Sequence, residues 1–295
     1  MRYPSAPAAG GRGQSGLPGA PLDVAIVGAG RVGCSIGRAL LARDHRVVAA
    51  TVARQGSAKR VLDALGHVPL VDAQDAPLAA SVVVISVPDD ALPAAANTVA
   101  RGLREDAVVV HTSGIAGVEV LAPCGPNVAA IHPAQTVPEP TTELAGVYFG
   151  VTAAGPAAEW ACWFVRELGG IPVSVPEDGR ALYHAALSIA SNFTATIAAD
   201  AASLLSDPAA LGPLLRQTVE NVLRLGDDAL TGPVVRGDAG TVRKHLAALA
   251  AAAPHLVESY VANARRTLDR AVLGGRLDEN AGRAVAEALD GAPIR

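Results

Sequence analysis

Val24-Ala25-Ile26-Val27-Gly28-Ala29-Gly30-Arg31-Val32-Gly33 is an apolar run that closes on three glycines, and an Ala-, Leu- and Arg-rich stretch continues from it to about Arg43. A strand that runs straight into Gly-x-Gly-x-x-Gly and then into a helix is the context in which those glycines acquire meaning. Gly28 lets the chain turn tightly, Gly30 lets a ligand approach the backbone, and Gly33 lets helix and strand pack closely. The helix N-terminus then presents N–H groups and a partial positive charge to a pyrophosphate, with Arg31 and Val32 in its first turn. The stretch therefore predicts a dinucleotide-binding βα unit.

Outward from it the same order repeats. Arg46–Val52 reads as a second strand and Ser57–Leu65 as a helix. Val/Ile-rich runs follow at Ser81–Val87, Ala107–His111, Val128–Ile131, Val147–Val151 and Ile171–Val175, with a helix over Ala157–Leu168. Continuous rather than alternating apolar runs suit strands covered on both faces, so the pattern predicts an α/β fold: a doubly wound Rossmann domain built on a parallel sheet. After Pro176 the β-branched runs stop. Residues 178–206, 208–229, 239–252 and 254–273 are Ala/Leu-rich and helix-periodic, and a final helix is expected over 278–289. The expected organisation is a disordered Gly/Pro/Ser/Ala-rich tail (1–21), a Rossmann domain (22–176) and an all-α C-terminal domain (177–295) for substrate and dimerisation.

Composition narrows the function classes. With 295 residues, half of them hydrophobic, the chain has material for two cores. A formal net charge of −4 leaves no footprint for nucleic acid or an anionic membrane. No apolar run long enough to span a bilayer is free of charges or helix breakers. Three scattered cysteines, Cys34, Cys124 and Cys162, fit reduced thiols of a cytoplasmic protein and no metal-ligand spacing. No metal site is expected.

The cofactor is read from the end of the second strand. NAD-preferring folds place an acid there, about 20 residues past the glycines. Here the residues are Thr51-Val52-Ala53-Arg54-Gln55-Gly56-Ser57. No acid is present, while Arg54 and Ser57 are suited to a 2′-phosphate, so NADP is the expected cofactor.

Ligands of open α/β sheets sit at the carboxyl ends of the strands. Three of those ends carry turn or polar residues: Ser86-Val87-Pro88-Asp89, His111-Thr112-Ser113-Gly114 and Ile131-His132-Pro133. Val87, Pro88 and His111 are expected beside the cofactor, and Ser113 and His132 beside the substrate. A polar stripe opens the helical segment, with Arg180, His184, Ser188 and Asn192 spaced by four on one helix face and Tyr183 next to it. Arg236, on the irregular stretch Ala229–Asp238, has no local duty, whereas Asp238 is placed to cap the next helix.

At these stretches the chain resembles a family of bacterial oxidoreductases in which a Rossmann-like domain precedes a helical domain long labelled as of unknown function. VAIVGAGRVG, ISVPDD, HTSG, IHPAQT, RALYHAALSIASNF and ALTGPVVRGDAGTVRKHL carry the resemblance, which covers about Leu22 to Leu249. The architecture is also similar to that of ketopantoate reductase, pyrroline-carboxylate reductase, prephenate dehydrogenase and the β-hydroxyacid dehydrogenases. The last group begins its helical domain with Lys-x-x-x-Asn. Here that slot reads Arg180-Ala-Leu-Tyr-His184, so a lysine acid is absent.

The resemblance implies NADP-dependent reduction of a small 2-oxo acid, ketopantoate first. Arg180 or Arg236 would grip the carboxylate, His184 or His132 would donate the proton, and Asn192 would orient the substrate. Prephenate- or pyrroline-carboxylate-type chemistry and an NADPH sensor without turnover are the alternatives. A homodimer is expected from the apolar helix set.

Overall fold

The computed structural model describes residues 21–52 and 57–293. The expected tail, apart from Pro21, lies outside the described residues, and so does Arg54. A compact unit that carries the sheet runs to Asn192, and a second unit begins at Phe193.

The first unit is a seven-stranded sheet in the order β2-β1-β3-β4-β5-β6-β7. Its strands are β1 (Asp23–Val27), β2 (Arg46–Ala50), β3 (Val82–Ile85), β4 (Val108–His111), β5 (Val128–Pro133), β6 (Tyr148–Thr152) and β7 (Ile171–Ser174). Helices α1 (Arg31–Leu41), α2 (Ala58–Leu65), α3 (Leu92–Ala100) and α4 (Pro156–Glu167) connect them. Alternation sends Val82 and Val84 to one face, with Ile36, Leu40, Phe149 and Phe164. Val83 and Ile85 go to the other, with Leu92, Ala96 and Val99. Both faces are covered, which is why the strands read as unbroken apolar runs.

Strands β1 to β5 are parallel, as expected, but β6 pairs antiparallel with β5, and β7 runs parallel to β6. The reversal has a local cause. No helix lies between β5 and β6, so the chain has no crossover element and turns back. Helix α4, between β6 and β7, restores the parallel pairing of that last pair.

The stretch expected as one helix over 178–206 is three pieces. Helix α5 (Arg180–Ser188) passes into a π-helical turn (Ile189–Phe193), and α6 (Thr194–Ser203) follows. In compactness, α5 belongs with the sheet. The second unit contains α6, α7 (Leu211–Leu225), α8 (Ala239–Ala252), α9 (Val257–Leu273) and α10 (Glu279–Asp290). Val242 and Leu246 of α8, Val261 and Leu268 of α9, and Val285 and Leu289 of α10 form its core. No helix among the described residues is long and apolar enough to cross a membrane.

Candidate active site

The β1–α1 turn has the geometry that a pyrophosphate needs. Gly28 takes φ +86°, and its N–H donates to Thr51 Oγ1 at 2.8 Å while Ala29 N–H donates to Thr51 O at 2.8 Å. A Cβ on Gly28 would lie 2.7 Å from Ser86 O and from Val87 Cγ1, so Val87 lies against the turn. On Gly33 it would lie 2.8 Å from Gly28 O, which is the close packing of helix on strand. Gly30 is different: its Cβ would meet nothing closer than Gly28 O at 4.0 Å. The backbone there is open on the side a ligand would use. No side chain caps α1 and no acid sits in its first turn, where Arg31 and Val32 begin the helix. These uncapped N–H groups suit a dinucleotide's phosphates. Ser57 occupies the N-cap position of α2 without making a capping bond, and exposed Pro88 opens the turn after β3.

His111, expected at the cofactor, is instead fully buried inside its own loop. Its Nε2 bonds Gly117 O at 2.9 Å and its Nδ1 accepts from Ser113 N–H at 3.2 Å. Both ring nitrogens are used, so His111 shapes the 111–117 loop and has no atom to offer a cofactor. Burial, the largest effect, and the Arg180 charge push it down to about 4, against the carbonyl of Gly117. Ser113 is also turned inward, its Oγ accepting from Ala116 N–H at 3.0 Å. At the strand ends proper, Thr112 Oγ1 donates to Ser86 Oγ at 3.2 Å.

Arg180 departs from the expected grip on a substrate carboxylate. It is 1% exposed, donates to Thr152 Oγ1 at 2.9 Å and to Ser113 O, and leaves Nε without a partner. A guanidinium enclosed this way has no open fork for a bidentate anion. It fastens the start of α5 to the loop after β4. Glu177 does the same one turn earlier, accepting from Val118 N–H at 3.1 Å and Glu119 N–H at 3.4 Å.

That docking delivers Tyr183 and His184 to His132. The rings of His132 and His184 lie edge to face with centroids 5.7 Å apart, as do those of His132 and Tyr183. Both imidazoles meet over Gly114, where a Cβ would lie 2.4 Å from His184 Cδ2 and 3.0 Å from His132 Nε2. His132 is pushed down to about 4, first by burial, then by His184 and Arg180, with Asp89 opposing. Burial raises the Tyr183 phenol, which therefore stays protonated near neutral pH.

A cleft of about 330 Å³ opens beside the pair, lined by His132, Gln135, Thr136, His184, Ser188 and Asn192, among others. The π turn displaces the four-residue stripe at its last member, so Ser191 lines the cleft as well as Asn192. Its wall, the loop after β5, is tied to α1 by Ser35 Oγ, which donates to Glu139 O and Pro140 O at 3.4 and 3.3 Å. Cleft and dinucleotide turn thus share one compact unit. Arg236 lies in the helical unit, exposed, its guanidinium donating to Thr231 O. Asp238 caps α8 as expected, accepting from Thr241 N–H at 2.9 Å. Among the described residues no group of His, Cys, Asp or Glu is arranged to hold a metal ion.

The two low-titrating histidines make stability depend on pH. An unfolded histidine titrates near 6.5, so between about pH 6.5 and 4 the unfolded chain binds more protons and stability falls with the pH. For His111 the loss is on the order of 3 kcal/mol across that window. Histidine NMR titration is expected to show two of the seven imidazoles still neutral at pH 5. All seven titrating near 6.5 would contradict the burial argument.

A family model described as a Rossmann-like domain matches residues 8–133, and one described as a domain of unknown function, DUF2520, matches residues 147–267. The chain joins a Rossmann-like domain to a DUF2520 domain. The resemblance read from the sequence thus holds in both halves. A Bacteroides fragilis protein provisionally described as an NADP oxidoreductase is similar in fold, with TM-score 0.75, 23% identity, and coverage of 84% of this chain and 98% of that one. A Thermotoga maritima protein follows at TM-score 0.57 and 21% identity, covering 90% of this chain and 98% of its own. Prephenate dehydrogenase from A. aeolicus, solved with hydroxyphenyl propionate and NAD+, gives TM-score 0.52 at 19% identity, covering 64% of this chain and 72% of that one. No curated protein matches the chain.

Proposed function

We propose that the chain is an NADP(H)-dependent oxidoreductase that reduces a small 2-oxo acid, with ketopantoate as the first substrate to test. One observation carries this reading: the His132–His184 pair stands over Gly114 at the strand ends, in the same unit as an uncapped dinucleotide turn. The turn and the N-terminus of α1 would hold the pyrophosphate. The acid-free end of β2, with Arg54 in the sequence, supports NADP over NAD.

A bound nicotinamide supplies the hydride. The chain's own task is then to place the ketone and protonate its oxygen. His184 is the proton donor in this reading, because His132 is held neutral well below pH 7. Arg180 positions the loop beneath the pair, and Asn192 is the proposed orienting group at the cleft. The test is loss of NADPH absorbance with a panel of 2-oxo acids and cyclic imines. Turnover of at least one 2-oxo acid is expected, and turnover of imines alone would overturn the substrate class.

A second reading has its own observation. A neutral His132 at the cleft, its Nε2 beside Gly114, also has the lone pair to accept a proton from a hydroxyl, as in dehydrogenation of a cyclohexadienyl acid. NADP+ reduction by prephenate, with no NADPH oxidation by any 2-oxo acid, would favour it.

A further inference from the structure

The two histidines of the cleft are not equivalent, and the difference lies in Tyr183. Strand register places Gly150 directly opposite His132. A Cβ on Gly150 would lie 2.6 Å from both Cζ and Oη of Tyr183, so the phenol fills the space that a side chain there would take. From that slot Tyr183 Oη lies 3.2 Å from His132 Nδ1 and 3.3 Å from His132 O.

A phenol has one proton to give. If it went to Nδ1, the contact with the carbonyl would set two oxygen lone pairs against each other. If it goes to the carbonyl, Nδ1–H donates to Oη and both contacts are hydrogen bonds. The second arrangement makes a hydrogen bond of each of the two contacts, and a half-buried network favours it. It leaves the lone pair of His132 on Nε2, which faces Gly114 and His184 and has no partner among the described hydrogen bonds.

Resting on the oxidoreductase reading, we infer that Tyr183 is a positioning residue that locks His132 as the Nδ1–H tautomer. His132 Nε2 thereby selects a substrate carrying a hydroxyl or N–H donor beside the reacting carbonyl. An acceptor fixed in a partly buried cleft discriminates strongly against an analogue that lacks the donor, because the acceptor is then left unmade. Burial first, and then the groups that face it, keep His132 in this state: His184 and Arg180 from α5 and His111 from β4 oppose its protonation, and Asp89 after β3 only partly offsets them. Tyr183, from α5, stays a neutral phenol. The cleft of about 330 Å³ suits a hydroxylated acid of small size.

Ketopantoate and trimethylpyruvate differ only in the hydroxyl. Calorimetric binding of each to the full chain saturated with NADP+, which has no hydride to transfer, is expected to favour ketopantoate at least tenfold. Tyr183→Phe should reduce that ratio to about threefold or less while leaving the affinity for trimethylpyruvate unchanged. Nitrogen-15 NMR of the unmodified chain reads the tautomer without needing turnover, substrate or variant, and Nδ1–H is expected for His132. An Nε2–H tautomer, or equal affinity for the two acids, would overturn the inference. Absence of turnover on every acid, with the tautomer and the affinity ratio as expected, would overturn the catalytic reading and leave the selection intact.

Discussion

His184→Ala is expected to lower turnover by about 10²- to 10⁴-fold, the usual contribution of a positioned acid, while NADPH affinity stays near that of the unmodified chain. The expectation follows from the division of labour over Gly114. His132, pushed down to about 4, carries almost no proton at neutral pH. Its Nδ1 is committed to Tyr183, and among the described residues no other imidazole lines the cleft, His111 being enclosed in its loop. His184 takes no part in the hydrogen bonds that hold the β1–α1 turn, so removing its ring leaves the dinucleotide site as it was. His184→Gln, which keeps volume and polarity but cannot transfer a proton at these pH values, should be as impaired as the alanine variant. Kinetics at saturating NADPH, together with a separate NADPH titration, check both points. Turnover equal to that of the unmodified chain would remove His184 from the chemistry.

Gly30→Val is expected to abolish dinucleotide binding, by 100-fold or more, without unfolding the chain. Gly30 has φ −84° and ψ −153°, outside the left-handed region that favours glycine. A Cβ there touches nothing in the free protein closer than 4.0 Å. The added side chain would instead occupy the space a pyrophosphate needs in order to reach the N–H groups of α1. Gly28→Val is the contrasting variant. Its Cβ would press on Ser86 O at 2.7 Å with φ at +86°, so it should cost folding stability as well as affinity. Thermal unfolding and NADPH fluorescence titration separate the two cases. Gly30→Val binding NADPH as tightly as the unmodified chain would mean that the turn is not the phosphate site.

Much of this arrangement could be read in advance from the residues, and the reasons are local. Gly28-x-Gly30-x-x-Gly33 between an apolar run and an Ala/Leu helix is a short-range pattern, and the turn follows it closely. The strands were legible because burial on both faces leaves unbroken Val/Ile runs. Tertiary partners decided the rest. Arg180 reads as a cation on a polar stripe, and nothing near it in sequence says that Thr152 and Ser113 will enclose it. His111 ends its strand and His132 stands one residue before the end of its own, yet one bonds its own loop and the other meets Tyr183. The π turn at Ile189–Phe193 leaves no mark on the apolar periodicity, and it brings Ser191 to the cleft beside the Asn192 that the four-residue spacing indicated. Tyr183 itself had a usable signal: it precedes His184 in the same helical turn, and Gly150, its slot, is the glycine within an otherwise apolar strand.

The central claim is that hydride moves between a nicotinamide and a substrate held beneath the His132–His184 pair. Incubation of the chain with NADPH deuterated at the transferring carbon, followed by mass spectrometry of the recovered acids, tests it most directly. The account predicts one deuterium on the carbinol carbon of a hydroxy acid formed from a hydroxyl-bearing 2-oxo acid. Tight NADPH binding with all label retained in the cofactor, across the whole panel of acids, would contradict it.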